Sequence, residues 1–171
     1  MRAVLTITCF AVVICGTFAC SSSPQVRFQP TPVKESARFA REVVDKEVVT
    51  VGDGVAAILI LIDRYEPNRP FEEQMEILIQ QGVIGQKERT KLKDSDTLTR
   101  GTLAFLITGA LETKGGLTMR IFGRSNRYAL RECIDCGIIE KGSAGSAVSG
   151  RELISVLSNA ESYTVRNGGT H

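Results

Sequence analysis

The central part of the chain alternates helical hydrophobic patterns with polar loops. The segment MEILIQQGVI, which begins at Met75, has apolar residues at i, i+3 and i+4, and it predicts a helix near residues 71–81 that ends at Gly82. After a polar loop, Thr99 can cap a second helix near residues 99–111. The inward face of that helix would be Leu103, Leu106, Ile107 and Leu111. The pattern therefore predicts a helix–loop–helix unit.

The same order of elements occurs again downstream. A helical pattern near residues 126–136 ends at Gly137, which lies 55 residues after Gly82. Ser149, 50 residues after the first cap, can cap a further helix near residues 149–160. The inward face of that helix would be Leu153, Val156 and Leu157. We therefore predict a second helix–loop–helix unit.

A third, partial copy lies upstream of both units. The segment VGDGVAAIL from Val51 aligns with the second helix of the central unit at an offset of 48 residues, which pairs Val55 with Leu103 and Ile58 with Leu106. A near-constant period across three copies is typical of repeat proteins. We therefore predict a mainly α fold of repeated helix–loop–helix units, with a half unit at the front. The units would span about residues 51–65, 71–111 and 126–160.

Two other segments have weaker patterns. Residues 34–46 place Ala37, Ala40 and Val43 at helical spacing, and they predict a short helix that docks on the repeats. Residues 115–125 alternate apolar and polar side chains, and they predict a short strand or an extended crossover between two units.

The order of these elements resembles the S-layer homology (SLH) repeat over roughly residues 48–162. An SLH unit has a helix, a Gly-Ile-Ile turn, a loop and a second helix that begins with Thr-Arg-Ala-Glu, and the segments LTRGTLAFL and VSGRELISVL look like that second helix. Gly101-Thr102 stands where one copy would have Ala-Glu. Ser149-Gly150 replaces Thr-Arg in another copy, and Val51-Gly52 replaces it in the first. The resemblance implies a non-catalytic protein that binds a cell-wall glycan.

Three residues at the helix starts are candidate ligand-binding residues. Arg100 matches the arginine of the motif, which by the resemblance helps to contact an anionic cell-wall glycan. Arg151 lies one position beyond the match, and Glu152 occupies the position of the motif's glutamate. The alternative interpretation is that all three are solvated residues of a first helical turn, with Glu152 forming a capping box with Ser149.

The first residues have the pattern of a secretory signal peptide. Residues 1–19 contain one early positive charge, a short apolar run and small residues before Cys20. The sequence Thr-Phe-Ala-Cys resembles a bacterial lipobox, which implies that Cys20 is lipidated and anchors the protein to a membrane. The alternative is ordinary cleavage after Ala19, with Cys20 left as a free thiol. Residues 20–33 would form a tether, residues 34–163 the repeat domain and residues 164–171 a flexible tail.

The composition limits the chemistry that the chain can carry. Apolar residues make up 43% of the chain and aromatic residues 6%, which allows an ordinary core that is mainly aliphatic. The net charge of +2 gives no reason to expect a nucleic acid partner. The single histidine is His171, the last residue, so we expect neither His-based catalysis nor a His-ligated metal.

Cys133 and Cys136 form a C-x-x-C pattern late in a predicted helix. Cys133 corresponds to Leu78 of the other unit, so it is predicted to occupy a core position. Packing or a simple disulfide fits this placement better than a redox role, because no strand precedes the motif and a helix lowers a thiol pKa at its other end. Two thiols are too few ligands for a metal site.

The signal peptide pattern, together with the resemblances to a lipobox and to SLH repeats, implies an exported, lipid-anchored protein of the bacterial cell envelope that faces the periplasm or the cell surface. We expect no enzymatic activity and no cofactor. Its partner would be a cell-wall polymer such as a peptidoglycan-associated glycan. The alternative is a periplasmic lipoprotein adaptor whose helical repeats bind another envelope protein.

Overall fold

The computed structural model describes residues 33–111 and 125–166. In order, their helices are α1 (Val33–Val43), α2 (Val51–Leu61), α3 (Phe71–Gln80), α4 (Gln86–Arg89), α5 (Arg100–Ala110), α6 (Asn126–Asp135) and α7 (Gly150–Arg166). Extended structure in these two ranges is limited to two isolated bridges. The prediction of a mainly α fold is therefore confirmed. The predicted strand or crossover, apart from Ser125, lies outside the described residues.

A residue with a capping side chain precedes the second helix of every unit. The Thr99 hydroxyl accepts a hydrogen bond from the Thr102 amide at 3.2 Å, and the Ser149 hydroxyl accepts one from the Glu152 amide at 3.3 Å. Both predicted caps are confirmed. The first unit also has a cap, Thr50, which the pattern of apolar residues did not reveal.

The cap at Thr50 corrects the alignment of the first copy. Thr50 accepts from the Asp53 amide, and the Asp53 carboxylate accepts from the Thr50 amide at 3.0 Å, which completes a capping box. Thr50 therefore corresponds to Thr99, at an offset of 49 residues. The predicted offset of 48 is wrong by one, so Val55 corresponds to Ala104 rather than to Leu103.

The glycine turns after α3 and α6 have the same backbone conformation. Gly82 and Gly137 both have a φ of 71°, a left-handed conformation that a side chain would strain. The following amides turn back onto the helix, so that Val83 donates to the carbonyl of Leu78 and Ile138 to that of Cys133. Each helix ends at its predicted glycine, and the apolar pair after the glycine is buried. These pairs are Val83 with Ile84 and Ile138 with Ile139.

The segments before the three caps form a closed ring of backbone hydrogen bonds. The Leu98 amide donates to the Val49 carbonyl at 2.9 Å, the Val148 amide to the Leu98 carbonyl at 3.0 Å, and the Val49 amide to the Val148 carbonyl at 3.0 Å. All three side chains are fully buried. These bonds therefore link the three units in a closed cycle.

Helix packing follows the same cycle. The second helix of each unit packs against the first helix of the next, α2 on α3, α5 on α6 and α7 on α1. α1 therefore serves as the first helix of the first unit. The loop between α1 and α2 is short and has no glycine turn like those at Gly82 and Gly137, so the first unit is less complete than the other two.

Two helices differ in length from their predicted bounds. α2 ends at Leu61 rather than near residue 65, and Asp63 has a left-handed φ of 54° directly after it. α7 continues to Arg166, past the predicted end at 160 and into the predicted flexible tail. No glycine or proline interrupts α7 before that point, so its hydrogen bonds continue. Within the described ranges, none of the helices has both the length and the apolar character that a membrane span requires.

Candidate binding cleft at the junction of the second and third units

The packing of the units brings Arg100 and Glu152 together. Arg100 is the first residue of α5, and its amide donates to the carbonyl of Ser146 in the loop before α7 at 2.9 Å. Glu152 lies in the first turn of α7, where the Ser149 cap holds its amide. Both residues therefore start helices whose N-terminal ends meet at the central ring.

Arg100 and Glu152 form an ion pair between two units. The Arg100 Nε and Glu152 Oε1 atoms are 2.6 Å apart, and each side chain is 20% exposed. Both atoms are shielded from solvent, and neither has a partner with hydrogen-bond geometry among the described residues, so their contact is an ion pair without a hydrogen bond. Arg100 Nη1 also donates to the Lys141 carbonyl at 3.3 Å. Arg100 thus links the second unit to both the loop and the second helix of the third.

For Arg100 and Glu152, this geometry does not fit the alternative interpretation, in which both are solvated residues of a first helical turn. Arg100 and Glu152 are each mostly buried, and the Glu152 carboxylate contacts Arg100. The Ser149 hydroxyl caps the Glu152 amide, so only that half of the predicted capping box is observed. Arg151 is exposed and is not among the residues that line the adjacent cleft.

A cleft of about 170 Å³ opens beside the ion pair. Its walls come from the start of α5, the turn after α6 and one face of α7. The lining residues are Arg100, Ile138, Glu140, Glu152, Ser155, Val156 and Asn159. Two carboxylates and one guanidinium line this space, so its walls have a formal charge of −1.

Three polar residues of the cleft were not predicted from the sequence. Ser155 and Asn159 lie three and seven positions after Glu152, which places them on the same face of α7. Glu140 follows the Gly137 turn directly. The helical spacing from Glu152 could have identified the first two, whereas the position of Glu140 depends on the fold of the turn.

The other two units have different residues at the equivalent positions. Val51 and Gly150 correspond to Arg100, so neither offers a guanidinium. Asp53, which corresponds to Glu152, pairs with Lys46 at 2.8 Å within its own unit. An arginine–carboxylate pair between these helix starts therefore occurs, within the described ranges, at the junction of the second and third units alone.

A second cleft, of about 430 Å³, lies beside the first turn of α5. The side-chain amide of Asn126 donates a hydrogen bond to the Thr102 hydroxyl at 3.3 Å, and both residues line this cleft. The lining residues are Glu88, Lys91, Leu92, Thr102, Phe105, Ser125 and Asn126. Neither Arg100 nor Glu152 belongs to this cleft.

Cys133 occupies the predicted core position, and both described cysteines are free thiols. Its side chain is 1% exposed, and its thiol lies 3.8 Å from the Ala104 carbonyl of α5. Burial raises the pKa of the Cys133 thiol to about 12, with smaller contributions from Cys136 and Glu132. A hydrogen bond with Cys136 raises the pKa of the Tyr163 hydroxyl on α7. The first thiol therefore packs in the core, and the second contacts the last helix.

The remaining predicted sites concern lipidation and metal binding. Cys20, the predicted lipidation site, lies outside the described residues. Within residues 33–111 and 125–166, no three His, Cys, Asp or Glu side chains are grouped so that they could hold a metal ion.

Comparison with known proteins leaves the family open. No protein-family model matches the chain, and no curated protein matches it significantly.

Proposed function

We propose that the protein is a non-catalytic component of the bacterial cell envelope that binds a cell-wall glycan in the cleft beside Arg100 and Glu152. The observation that carries this proposal is the junction itself. Two residues at motif positions of different repeats meet there, and polar side chains surround the adjacent space. The cleft provides hydroxyl, amide and carboxylate groups, which are suited to hydrogen-bonding a polyhydroxylated ligand.

The proposed location rests on the N-terminal sequence. A signal peptide over residues 1–19 would export the protein, and a lipid on Cys20 would anchor it to a membrane. Residues 20–33 would then connect the anchor to the repeats. Such a protein could hold the membrane close to the wall through non-covalent contacts alone.

Co-sedimentation with purified peptidoglycan sacculi tests the proposal. We expect the full-length protein to pellet with sacculi, and Arg100→Ala to pellet less. Arg38→Ala is the matched control, because it removes the arginine of an exposed ion pair with Glu42 on α1. If the wild type fails to bind any sacculi, the glycan proposal is wrong and the protein adaptor becomes the better hypothesis.

Arg100→Ala could also weaken binding by loosening the junction. Ser155→Tyr separates the two effects, because Ser155 is an exposed residue at the cleft and has no part in the ion pair. We expect the tyrosine to obstruct the cleft and reduce binding while thermal unfolding stays unchanged. Full binding by Ser155→Tyr would place the glycan elsewhere on the protein.

A further inference from the structure

We propose that the cleft selects an uncharged, hydroxyl-rich part of a glycan, of about one sugar ring, rather than an anionic group. This inference rests on the proposed function and specifies the ligand's chemistry. It departs from the expectation that Arg100 contacts an anionic polymer. The chemistry that the cleft can bind depends on which of its groups are already paired.

The guanidinium of Arg100 already has two partners within the protein. Its Nε faces the Glu152 carboxylate at 2.6 Å, and its Nη1 donates to the Lys141 carbonyl. An anionic ligand at Arg100 would have to displace Glu152 or lie beside it. Displacement leaves a mostly buried carboxylate without its partner, and juxtaposition places two like charges together, so both are unfavourable.

The backbone amides at the start of α5 are occupied as well. The Arg100 amide donates to Ser146, the Gly101 amide to the Ala144 carbonyl at 2.9 Å, and the Thr102 amide to its Thr99 cap. A helix N-terminus binds an anion through free amides of this kind. The third unit takes two of these donors and Thr99 of the same unit takes the other, so the start of α5 offers no anion site.

The groups that line the cleft are mainly hydrogen-bond acceptors. Glu140 and Glu152 contribute carboxylate oxygens, which only accept hydrogen bonds when ionised. One of the two N–H groups of the Asn159 amide is already used, because the nitrogen donates to the Ile138 carbonyl at 3.2 Å. Ser155 can accept or donate. A ligand that fits this lining must supply donors, and sugar hydroxyls and acetamido N–H groups do so without bringing a negative charge.

The nearby cationic side chains do not add positive charge to the lining of the cleft. Arg151 and Lys141 are exposed, and neither side chain lines the cleft. The volume of about 170 Å³ is below the range of about 300–1,000 Å³ of pockets for drug-sized ligands. The cleft therefore holds one ring, while the rest of a polymer would extend into solvent.

The first experiment compares two preparations of sacculi. One is untreated, and the other has been stripped of phosphodiester-linked anionic polymers with hydrofluoric acid. We expect the full-length protein to bind both, with affinities that change by less than about twofold between 50 and 500 mM salt, because an uncharged ligand is not screened. Loss of binding on stripping, or a fall of tenfold or more with salt, would overturn the inference and leave the proposed function intact. Binding to neither preparation would contradict the proposed function itself.

The second experiment asks whether removing a negative charge from the cleft weakens or strengthens binding. Glu140→Gln replaces an exposed carboxylate of the cleft by a neutral amide of nearly the same shape. We expect it to weaken binding to stripped sacculi by about three- to tenfold, because a strong hydrogen-bond acceptor is lost. An anionic ligand would instead bind more tightly, since a repelling charge has been removed. Glu161→Gln on the exposed face of α7 is the matched control and should bind as the wild type does.

Discussion

The Leu98 amide donates to the Val49 carbonyl at 2.9 Å, and this single bond belongs to a ring that joins all three units. Leu98 also accepts from the Val148 amide, so each unit is held by both neighbours. Because the side chains of the ring are fully buried, these backbone groups have no access to water as an alternative partner. We therefore expect the units to unfold together rather than one at a time.

Stability should depend more on the leucines of the second helices than on their caps. Thr99→Ala and Ser149→Ala should each reduce the free energy of unfolding by about 0.5–2 kcal/mol, because each removes a side-chain cap. Leu103→Ala and Leu153→Ala should each cost about 2–5 kcal/mol, since both leucines are fully buried and their removal opens a cavity. Urea unfolding of the four single mutants measures this order. A near-neutral effect at either leucine would show that the aligned positions are not equivalent.

The glycine at the start of α7 should resist substitution. A Cβ atom at Gly150 would overlap the carbonyl oxygen of Val43 at the end of α1. Gly150→Ala should therefore reduce the free energy of unfolding by about 1–3 kcal/mol, because the backbone of α1 would have to move. Gly145→Ala is the control: no atom lies within 4 Å of its Cβ position, and we expect a change within about 0.5 kcal/mol. Equal melting temperatures for the two variants would refute this close packing of α1 against α7.

The two cysteines of the C-x-x-C pattern should differ in reactivity. Cys133 is 1% exposed, and its pKa is raised to about 12, so at pH 8 it is both shielded and almost entirely protonated. We expect iodoacetamide to label Cys136 in the folded protein and to label both residues in urea. Peptide mapping by mass spectrometry measures the labelling at each site. Rapid labelling of Cys133 under native conditions would contradict its burial against α5.

The proposed lipid anchor can be tested by cell fractionation. Cys20→Ser should move the protein from the membrane fraction to the soluble envelope fraction, because each buried acyl methylene contributes about 0.8 kcal/mol to membrane binding. Mass spectrometry of the wild-type N-terminus should show the acyl modification. If fractionation is unchanged in the variant, the anchor is not a lipid on Cys20.

Local signals in the sequence were enough to predict most of the helix ends. The caps at Thr99 and Ser149 and the turns at Gly82 and Gly137 are all observed. Each depends on hydrogen bonds between residues only a few positions apart, which makes it readable from a short segment. The capping box of Thr50 was equally local, and its Thr-x-x-Asp spacing was a better guide to the first unit than the apolar run that follows it.

The tertiary structure alone decided how the units are arranged and which residues of the cleft contact one another. Residues 55–61 are all apolar, so offsets of 48 and 49 pair hydrophobic residues almost equally well, and the ring of backbone bonds selects 49. Arg100 and Glu152 lie 52 positions apart, and the sequence by itself determined only that each starts a helix. Their contact arises because the cyclic packing brings two helix starts to one junction, where a partly buried guanidinium and a partly buried carboxylate compensate each other's charge.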